Sequence, residues 1–197
     1  MSPEDRRRSI VDAAREVAIE SGLVALTLKS VGQQANAASS LVAHYFPVMN
    51  DLVIETFSSL VGEELSTLQG IQDSQSSELE RMQTLVNWLL GEARLEVTAV
   101  WLDALVLGRR NEDLAAEVRL QLDNWQVAVS ASIRHGIASG EFECQNPDAV
   151  AAHILSLIDG LNAHSLVNYE DSSGLGNFLR QLVESELSLP AGALSGS

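Results

Sequence analysis

Positive charge is scarce in this sequence, and that scarcity excludes two classes of function. Only 12 of the 197 residues are lysine or arginine, against 27 aspartate and glutamate residues, for a formal net charge of −15. A field of this sign repels other polyanions, which excludes a general nucleic-acid coat protein and a binder of anionic membranes. The imbalance is uneven: residues 1–57 carry a net charge of −2 and the remainder carries −13. Solubility is the simplest explanation for the acidic remainder.

Cysteine and long apolar segments are also nearly absent. Cys144 is the only cysteine, which excludes an intrachain disulfide or a CxxC metal site and is typical of a reducing cytoplasm. The most apolar window, VTAVWLDALVLG, contains Asp103 and is shorter than the roughly 20 residues that span a bilayer. The charged start MSPEDRRRSI lacks the apolar segment of a signal peptide. We therefore expect a soluble, cytoplasmic protein.

Signatures of catalysis and of cofactor binding are missing as well. GxGxxG, P-loop and GxSxG patterns do not occur, and the four histidines show neither HExxH nor His-x-His spacing. We therefore expect no enzyme activity, no cofactor and no metal site.

What the sequence contains instead is helical periodicity, beginning with three short helices. The first ends at Gly22, a residue suited to a left-handed cap. Thr27 is a good N-cap for the second helix, and Asn36 after it tolerates the left-handed conformation of a sharp turn. The third runs over about residues 39–46. The apolar stripe of the first helix consists of Ile10, Ala13, Ala14, Val17 and Ala18.

Five or six longer helices are predicted to follow. Their apolar stripes alternate with capping residues and with polar segments such as QGIQDSQSS, which we expect to be a loop. One of these helices, over residues 97–108, is apolar on nearly every side and is expected to be central and buried. The last two are expected over residues 147–168 and 174–188. The predicted fold class is therefore all-α, with a three-helix N-terminal head and a larger helical domain.

Residues 10–53, IVDAAREVAIESGLVALTLKSVGQQANAASSLVAHYFPVMNDLV, resemble the TetR family of bacterial transcriptional repressors. The similarity lies in the alanines of the first helix, Gly22, Thr27, the turn after Ala35 and the aromatic residue before Pro47. Further along, IRHGIASGEF and AAHILSLIDGLNAHSL resemble the C-terminal domain of the subgroup that includes choline-responsive repressors of betaine synthesis. The resemblance implies a helix-turn-helix DNA-binding domain and a C-terminal domain that binds a small-molecule inducer and forms a homodimer.

Four positions depart from the family pattern. Asn36 stands where a turn glycine is usual, and Ala38 where a serine cap is frequent. Ala43 replaces a tyrosine of the reading helix, and Met49 replaces a lysine that contacts phosphate. Together these changes remove one cationic anchor and one aromatic hydroxyl from the expected DNA face.

A recognition helix in the major groove needs small or polar side chains at its start, and the third helix begins with two serines and a leucine. Serine hydroxyls read bases permissively, and leucine suits a thymine methyl group. Positive charge is expected from Lys29 beside the Thr27 hydroxyl, and from an N-terminal arginine arm that follows the backbone or enters the minor groove, unless that arm is only a disordered tail. The predicted DNA-contacting residues are Arg6, Arg7, Arg8, Thr27, Lys29, Ser39, Ser40, Leu41, His44 and Tyr45.

Aromatic and acidic residues in the predicted C-terminal helices suggest where an effector binds. Aromatic faces attract cations, and a carboxylate in an apolar helix is costly unless it is paired. These residues predict a site for a cationic amine, although tryptophans at helical spacing are more often core, Asp159 can bond to backbone, and a neutral apolar effector is equally compatible. The predicted ligand-binding residues are Trp88, Trp101, Asp103, Trp125 and Asp159.

The last two helices are apolar on wide faces, which suits a four-helix interface between two copies, or else an ordinary intramolecular core. The predicted interface stripe is Val150, Ile154, Leu157, Ile158 and Leu161. We expect a DNA-binding domain over residues 1–49, a ligand-binding and dimerisation domain over 50–190 and a disordered tail over 191–197.

The predicted function is a ligand-responsive transcriptional regulator, a repressor that binds a palindromic operator as a homodimer and is released by a small-molecule inducer. Its expected partners are double-stranded operator DNA, the effector and a second copy of the chain, but no membrane. The alternative is a helical protein–protein interaction module whose helix-turn-helix no longer binds DNA, which Ala43 and Met49 would favour.

Overall fold

The computed structural model describes residues 2–74, 77–91, 94–168 and 172–195. Within these ranges all regular secondary structure is helical, which confirms the predicted all-α fold class. A 3-10 turn over Leu23–Ala25 follows the first helix. The α-helices are α1 (Pro3–Ser21), α2 (Leu28–Gln34), α3 (Ser39–Tyr45), α4 (Met49–Ser74), α5 (Glu78–Leu89), α6 (Leu95–Gly108), α7 (Glu112–Ser139), α8 (Pro147–Ser165) and α9 (Ser172–Glu186).

Helix α1 begins earlier than its apolar stripe. Ser2 and Asp5 form a capping box in which the Asp5 N–H donates to Ser2 Oγ and the Ser2 N–H donates to Asp5 Oδ2, both at 3.1 Å. Pro3 occupies the first turn, where its missing N–H costs nothing. At the other end Gly22 is the C-cap with a positive φ of 84°, which favours glycine, but its ψ of 164° lies outside the left-handed helical region that was predicted.

Helix α4 is longer than the sequence pattern indicates. The segment QGIQDSQSS was expected to be a loop, and that prediction is wrong for residues 69–74, which continue the helix. Gln69 Nε2 donates to Asp73 Oδ1 at 3.4 Å, a spacing that supports a helix surface, and the single Gly70 is tolerated. Residues 75 and 76 lie outside the described residues.

Contacts divide the chain into two compact units. The first unit comprises the chain up to Glu63 together with Glu96–Gln121, and the second comprises Glu64–Leu95 and the chain from Leu122 onward. The chain therefore crosses from one unit to the other within α4, at the start of α6 and within α7. These units are defined by contacts rather than by function, so the domain boundary at residue 49 stays a prediction.

Helix α6 is not the buried central helix that its composition suggests. Val100 and Ala104 are buried, but Leu105 and Val106 are exposed. Apolar composition on every side therefore did not predict which side is covered, because burial depends on neighbouring helices rather than on the sequence of α6 itself.

The predicted interface stripe on α8 packs within the chain. Val150, Ile154 and Ile158 are buried in the single chain, Leu161 is also buried, and Leu157 is half-buried. Helix α8 packs against α9 in the second unit. The stripe thus packs as an intramolecular core in the single chain, which is the alternative interpretation of its apolar face. That these residues meet a second copy stays a prediction.

The expected disordered tail is also wrong for residues 191–195, which fold back as turns. Leu194 is fully buried, and the backbone N–H groups of Gly192 and Leu194 donate to the Glu184 carboxylate at 3.0 and 2.8 Å. A buried carboxylate that accepts two N–H groups is an effective anchor for an irregular segment. Residues 196 and 197 lie outside the described residues. None of the helices in the described ranges has the length and hydropathy needed to cross a membrane.

Candidate DNA-reading surface and effector site

Helices α2 and α3 form the predicted helix-turn-helix. Thr27 caps α2 as expected, because its Oγ1 accepts the Ser30 N–H at 3.0 Å while the Thr27 N–H donates to Ser30 Oγ at 3.0 Å. Asn36 has a φ of 49°, so the asparagine adopts the left-handed conformation that the turn requires. The two helices therefore meet at a defined angle rather than through a flexible loop.

Gly32 is a residue of this motif that the sequence pattern did not single out. A Cβ at this position would lie 2.9 Å from the Ala37 carbonyl oxygen and 3.3 Å from the Ser39 nitrogen. Both atoms belong to the backbone and cannot move without shifting the turn. A glycine inside a seven-residue helix was the available signal, since glycine is unfavourable there unless close packing demands it.

The face of α3 that points to solvent carries the side chains expected to read DNA. Ser39, Ser40 and His44 are exposed, whereas Leu41 and Tyr45 are half-buried. The His44 and Tyr45 rings make an edge-to-face contact with centroids 5.3 Å apart. Val42 on α3 and Phe46 directly after it are buried and anchor the helix within the first unit. Lys29 and Thr27 on α2 are exposed as well.

The arginine triplet is helical, so the alternative of a disordered tail is wrong, while its contact with DNA stays a prediction. Arg6, Arg7 and Arg8 lie within α1, which the Ser2–Asp5 capping box extends to Pro3. Arg8 lies 3.8 Å from the Asp5 carboxylate, whose pKa is lowered mainly by its hydrogen bonds with Ser2.

Arg7 is held by two neighbours within the first unit. It pairs with Glu55 of α4, and its guanidinium lies 4.5 Å from the centre of the Phe46 ring. The Arg7 side chain nevertheless keeps 44% of its surface exposed. We refer to Arg7, Phe46 and Glu55 as the exposed arginine cluster.

Two of the five predicted ligand residues make contacts within the first unit. Trp101 packs edge to face on Phe57, with centroids 4.9 Å apart and planes at 88°. Asp103 accepts the Leu23 N–H at 2.8 Å and thereby ties α6 to the turn between α1 and α2. Asp103 is paired, as a carboxylate in an apolar helix requires, and the partner in this structure is a backbone N–H; its contact with a ligand stays a prediction.

Two other predicted ligand residues do come together, in the second unit. Trp88 of α5 and Trp125 of α7 stack with centroids 5.9 Å apart and an interplanar angle of 18°. The Arg94 guanidinium lies 4.8 Å from the Trp88 ring centre and 5.3 Å from that of Trp125. The cation expected over these rings is thus already present, and the chain itself supplies it.

Glu64 of α4 completes this group. Arg94 donates to one oxygen, Glu64 Oε1, from Nε at 2.9 Å and from Nη2 at 2.6 Å. The side chains of Arg94 and Glu64 keep only 11% and 7% of their surface exposed. We refer to Trp88, Trp125, Arg94 and Glu64 as the buried arginine cluster.

The charges of Arg94 and Glu64 in this cluster act on the pKa of Asp159 on α8. Surrounding protein raises the pKa of its carboxyl; the positive charge of Arg94 opposes that rise and the negative charge of Glu64 adds to it. The residue is nevertheless exposed to solvent.

Two family profiles match this chain in tandem. The profile described as bacterial regulatory proteins, tetR family, matches residues 10–56, and the BetI-type transcriptional repressor C-terminal profile matches residues 78–188, more than half of the chain. This chain belongs to the TetR family. Its C-terminal part is of the BetI type, which confirms the resemblance recognised in the sequence.

Relatives and solved structures agree with this assignment. The TetR-family chain is 28% identical over 160 residues to the regulator BetI of Rhizobium meliloti, covering 79% of this chain and 75% of that one. It is 29% identical over 167 residues to BetI of Agrobacterium fabrum, covering 82% and 77%. A Saccharomonospora viridis transcriptional regulator crystallised with choline superposes with a TM-score of 0.80 at 21% identity, covering 92% and 96%. A TetR-family regulator from a Rhodococcus species superposes with a TM-score of 0.79 at 16% identity, covering 93% and 99%.

Membership of the TetR family makes the protein a ligand-responsive transcriptional regulator with a DNA-binding helix-turn-helix. The sequence pattern missed Glu64 and Arg94, although one signal was present. Glu64 lies on the same helical stripe as three core residues of α4, and a glutamate at such a position requires a buried partner. The three core residues are Leu60, Val61 and Leu68.

Proposed function

We propose that the protein is a repressor that binds a palindromic operator as a homodimer and is released by a small organic cation. The observation that carries the DNA-binding part is the exposed start of α3. Ser39, Ser40 and His44 face solvent while Val42 and Phe46 anchor the helix. Such a helix presents short polar side chains to base edges without moving its own backbone.

Homodimerisation follows from the geometry of duplex DNA. Reading helices of two copies must lie about 34–36 Å apart to enter successive turns of the major groove. A symmetric dimer meets this requirement and matches the two-fold symmetry of a palindrome. We expect the dimer contact on the C-terminal helices, with the stripe of α8 as its predicted part.

An organic cation is the effector class that the buried arginine cluster favours. Stacked tryptophans beside a carboxylate form a cation site, and Asp159 adds a second carboxylate nearby. The choline bound to the Saccharomonospora viridis regulator belongs to the same chemical class.

Release requires coupling between effector binding and the head. Helix α6 begins directly after Arg94, and its Asp103 holds the Leu23 N–H at the start of the turn that leads to α2. A shift of α6 would therefore move the base of the helix-turn-helix. Couplings of this type amount to about 1–3 kcal/mol, or about 5–150-fold in affinity.

Selection of bound fragments from random duplex DNA at fixed salt tests the proposal. The expected result is a palindrome, with Ser39→Ala or Ser40→Ala relaxing preference at particular base pairs. Ser156→Ala, at an exposed serine of α8, is the matched control and should leave the selected sequence unchanged. With about six phosphate contacts per dimer, log affinity should fall with log salt at a slope of about −5.

A protein-binding module is the second candidate, because cations of the head are already paired. Arg7 and Arg15 form ion pairs with Glu55 and Glu63 of α4. Failure to select any sequence, together with a flat salt dependence, would favour this alternative.

A further inference from the structure

The cation site of the second unit is occupied by a residue of the chain. Arg94 lies over both tryptophans and donates two hydrogen bonds to Glu64, as a bound organic cation with N–H groups would. We propose that Arg94 is an internal competitor for this site, and that a cationic effector binds by displacing its guanidinium from Trp88, Trp125 and Glu64. This inference rests on the proposed ligand-responsive function and specifies how its site is regulated.

The geometry of the ion pair fits exchange rather than a permanent link. Both hydrogen bonds from Arg94 end on a single oxygen of Glu64, so the pair is not the two-oxygen fork that gives the strongest arginine–carboxylate pairing. Trp125 Nε1 is buried and has no hydrogen-bond partner within the described part of the chain. A ligand with a hydroxyl or carbonyl oxygen could accept from this N–H, which Arg94, a donor only, cannot do.

The negative charge of Glu64 identifies the class of ligand that can replace Arg94. Removing the guanidinium without replacement would take from the buried Glu64 carboxylate the positive charge that Arg94 supplies, which is strongly unfavourable. An incoming cation restores the balance and also faces Asp159, whereas a neutral or anionic ligand does not. The favoured effector is therefore a small organic cation that also carries a hydrogen-bond acceptor.

The position of Arg94 in the chain explains why its displacement would matter. Arg94 immediately precedes α6, which belongs to the first unit from Glu96 onward. Its partner Glu64 is the first residue of α4 in the second unit. The ion pair thus joins the two places, within α4 and before α6, at which the chain passes from one unit to the other.

The test uses the full-length protein titrated with choline chloride and with tetramethylammonium chloride at constant ionic strength. Binding is followed by tryptophan fluorescence, and the Arg94 side chain by its Nε–H signal in NMR spectra, identified through its loss in Arg94→Lys. The expected result is that the protected Arg94 signal disappears as choline saturates the protein. Choline should bind more tightly than tetramethylammonium, because only choline has an oxygen that can accept from Trp125.

The second part of the test compares the choline affinities of variants. Because Arg94→Met removes the internal competitor, it should bind choline at least about tenfold more tightly than the wild type. Arg119→Met, which removes an exposed arginine paired with Glu112, is the matched control and should not change the affinity. If Arg94→Met does not fold, the wild-type NMR titration and Arg94→Lys decide the question.

Three outcomes overturn the inference: choline binding with an unchanged Arg94 signal, an Arg94→Met affinity no higher than that of the wild type, or no binding of either probe to wild type and variants. Operator binding by the wild type without a probe is measured separately. Loss of operator selection with intact cation exchange would refute the proposed function alone, and the reverse pattern would refute the inference alone.

Discussion

Two arginines of this protein have the same kind of neighbours and differ in burial. Arg7 lies over Phe46 and pairs with Glu55, while Arg94 lies over two tryptophans and pairs with Glu64. Both glutamates belong to α4. The side chains of Arg7 and Glu55 keep 44% and 34% of their surface exposed, against 11% and 7% for Arg94 and Glu64.

The difference indicates how each cluster is used. An exposed ion pair is screened by water and contributes little to stability, so Arg7 can exchange Glu55 for a phosphate at low cost. A buried pair is costly to open unless another charge replaces the one removed, so Arg94 can leave only in exchange for a cation. We therefore expect arginine to be available for a contact at all times in the first unit and only in exchange for a cation in the second.

The largest expected effect comes from removing one charge of the buried cluster. Glu64→Gln should lower the free energy of unfolding by about 3–5 kcal/mol, because it leaves the Arg94 guanidinium buried without its counterion. Glu55→Gln should lower it by no more than about 1 kcal/mol. Urea denaturation of both variants measures the contrast, and equal losses would contradict the distinction drawn from burial.

A carboxylate with a neutral partner should give an intermediate effect. Asp103→Ala leaves the part-buried Leu23 N–H without its acceptor, which should cost about 1–3 kcal/mol of unfolding free energy. Asp103→Asn keeps a side-chain oxygen that can accept the same N–H and serves as the control. If the two variants are equally unstable, the hydrogen bond to Leu23 is not the cause. Cation binding in the second unit should be unchanged in both.

The exposed cluster should be visible in DNA binding rather than in stability. Arg7→Met should weaken binding to all sequences alike and reduce the salt slope by about 1 for each phosphate group that the side chain neutralises in the wild type. Its unfolding free energy should change by less than about 1 kcal/mol. Arg94→Met should leave the salt slope unchanged. A change in base preference with Arg7→Met would show that the arginine reads bases instead of phosphates.

The smallest effect is expected at Asp159, and its sign is opposite to that at Asp148. Burial raises the pKa of the Asp159 carboxyl, so its charged form opposes folding above the ordinary pKa. Asp159→Asn should therefore raise the Tm at pH 7, with the gain shrinking as the pH falls towards the ordinary value. The hydrogen bonds from Arg134 lower the pKa of Asp148, so Asp148→Asn should lower the Tm at pH 7 and this loss should also fade as the pH falls. Shifts of the same sign in the two variants would contradict this contrast.

Local sequence was sufficient for the helices of the head and for the family. Thr27 and Gly22 act as caps, Asn36 adopts the left-handed turn, and the stripe from Ile10 to Ala18 is buried, because each of these properties depends on a few neighbouring residues. Prediction failed at two helix ends, one of which carries a local capping signal that the pattern analysis did not use. The segment 69–74 continues α4, and Ser2 with Asp5 extends α1 over the arginines that were expected to form an arm.

Only the folded structure could show which side chains the tryptophans contact. Trp101 and Trp88 both occur at helical spacing in apolar segments, yet one packs on Phe57 and the other stacks with Trp125 beneath a guanidinium. Composition alone assigned both to the ligand. The stacking partners belong to different helices, and no periodicity within one helix reports on the rings of another.

The acidic side chains make the same point. Asp103 meets the N–H of Leu23, 80 residues earlier, and Glu64 meets Arg94 thirty residues later. A helix pattern can indicate that a carboxylate will be buried and must be paired, but not with what. Contacts between residues far apart in the chain arise only when the helices pack, and those contacts assigned one carboxylate to a backbone amide and the other to the cation site.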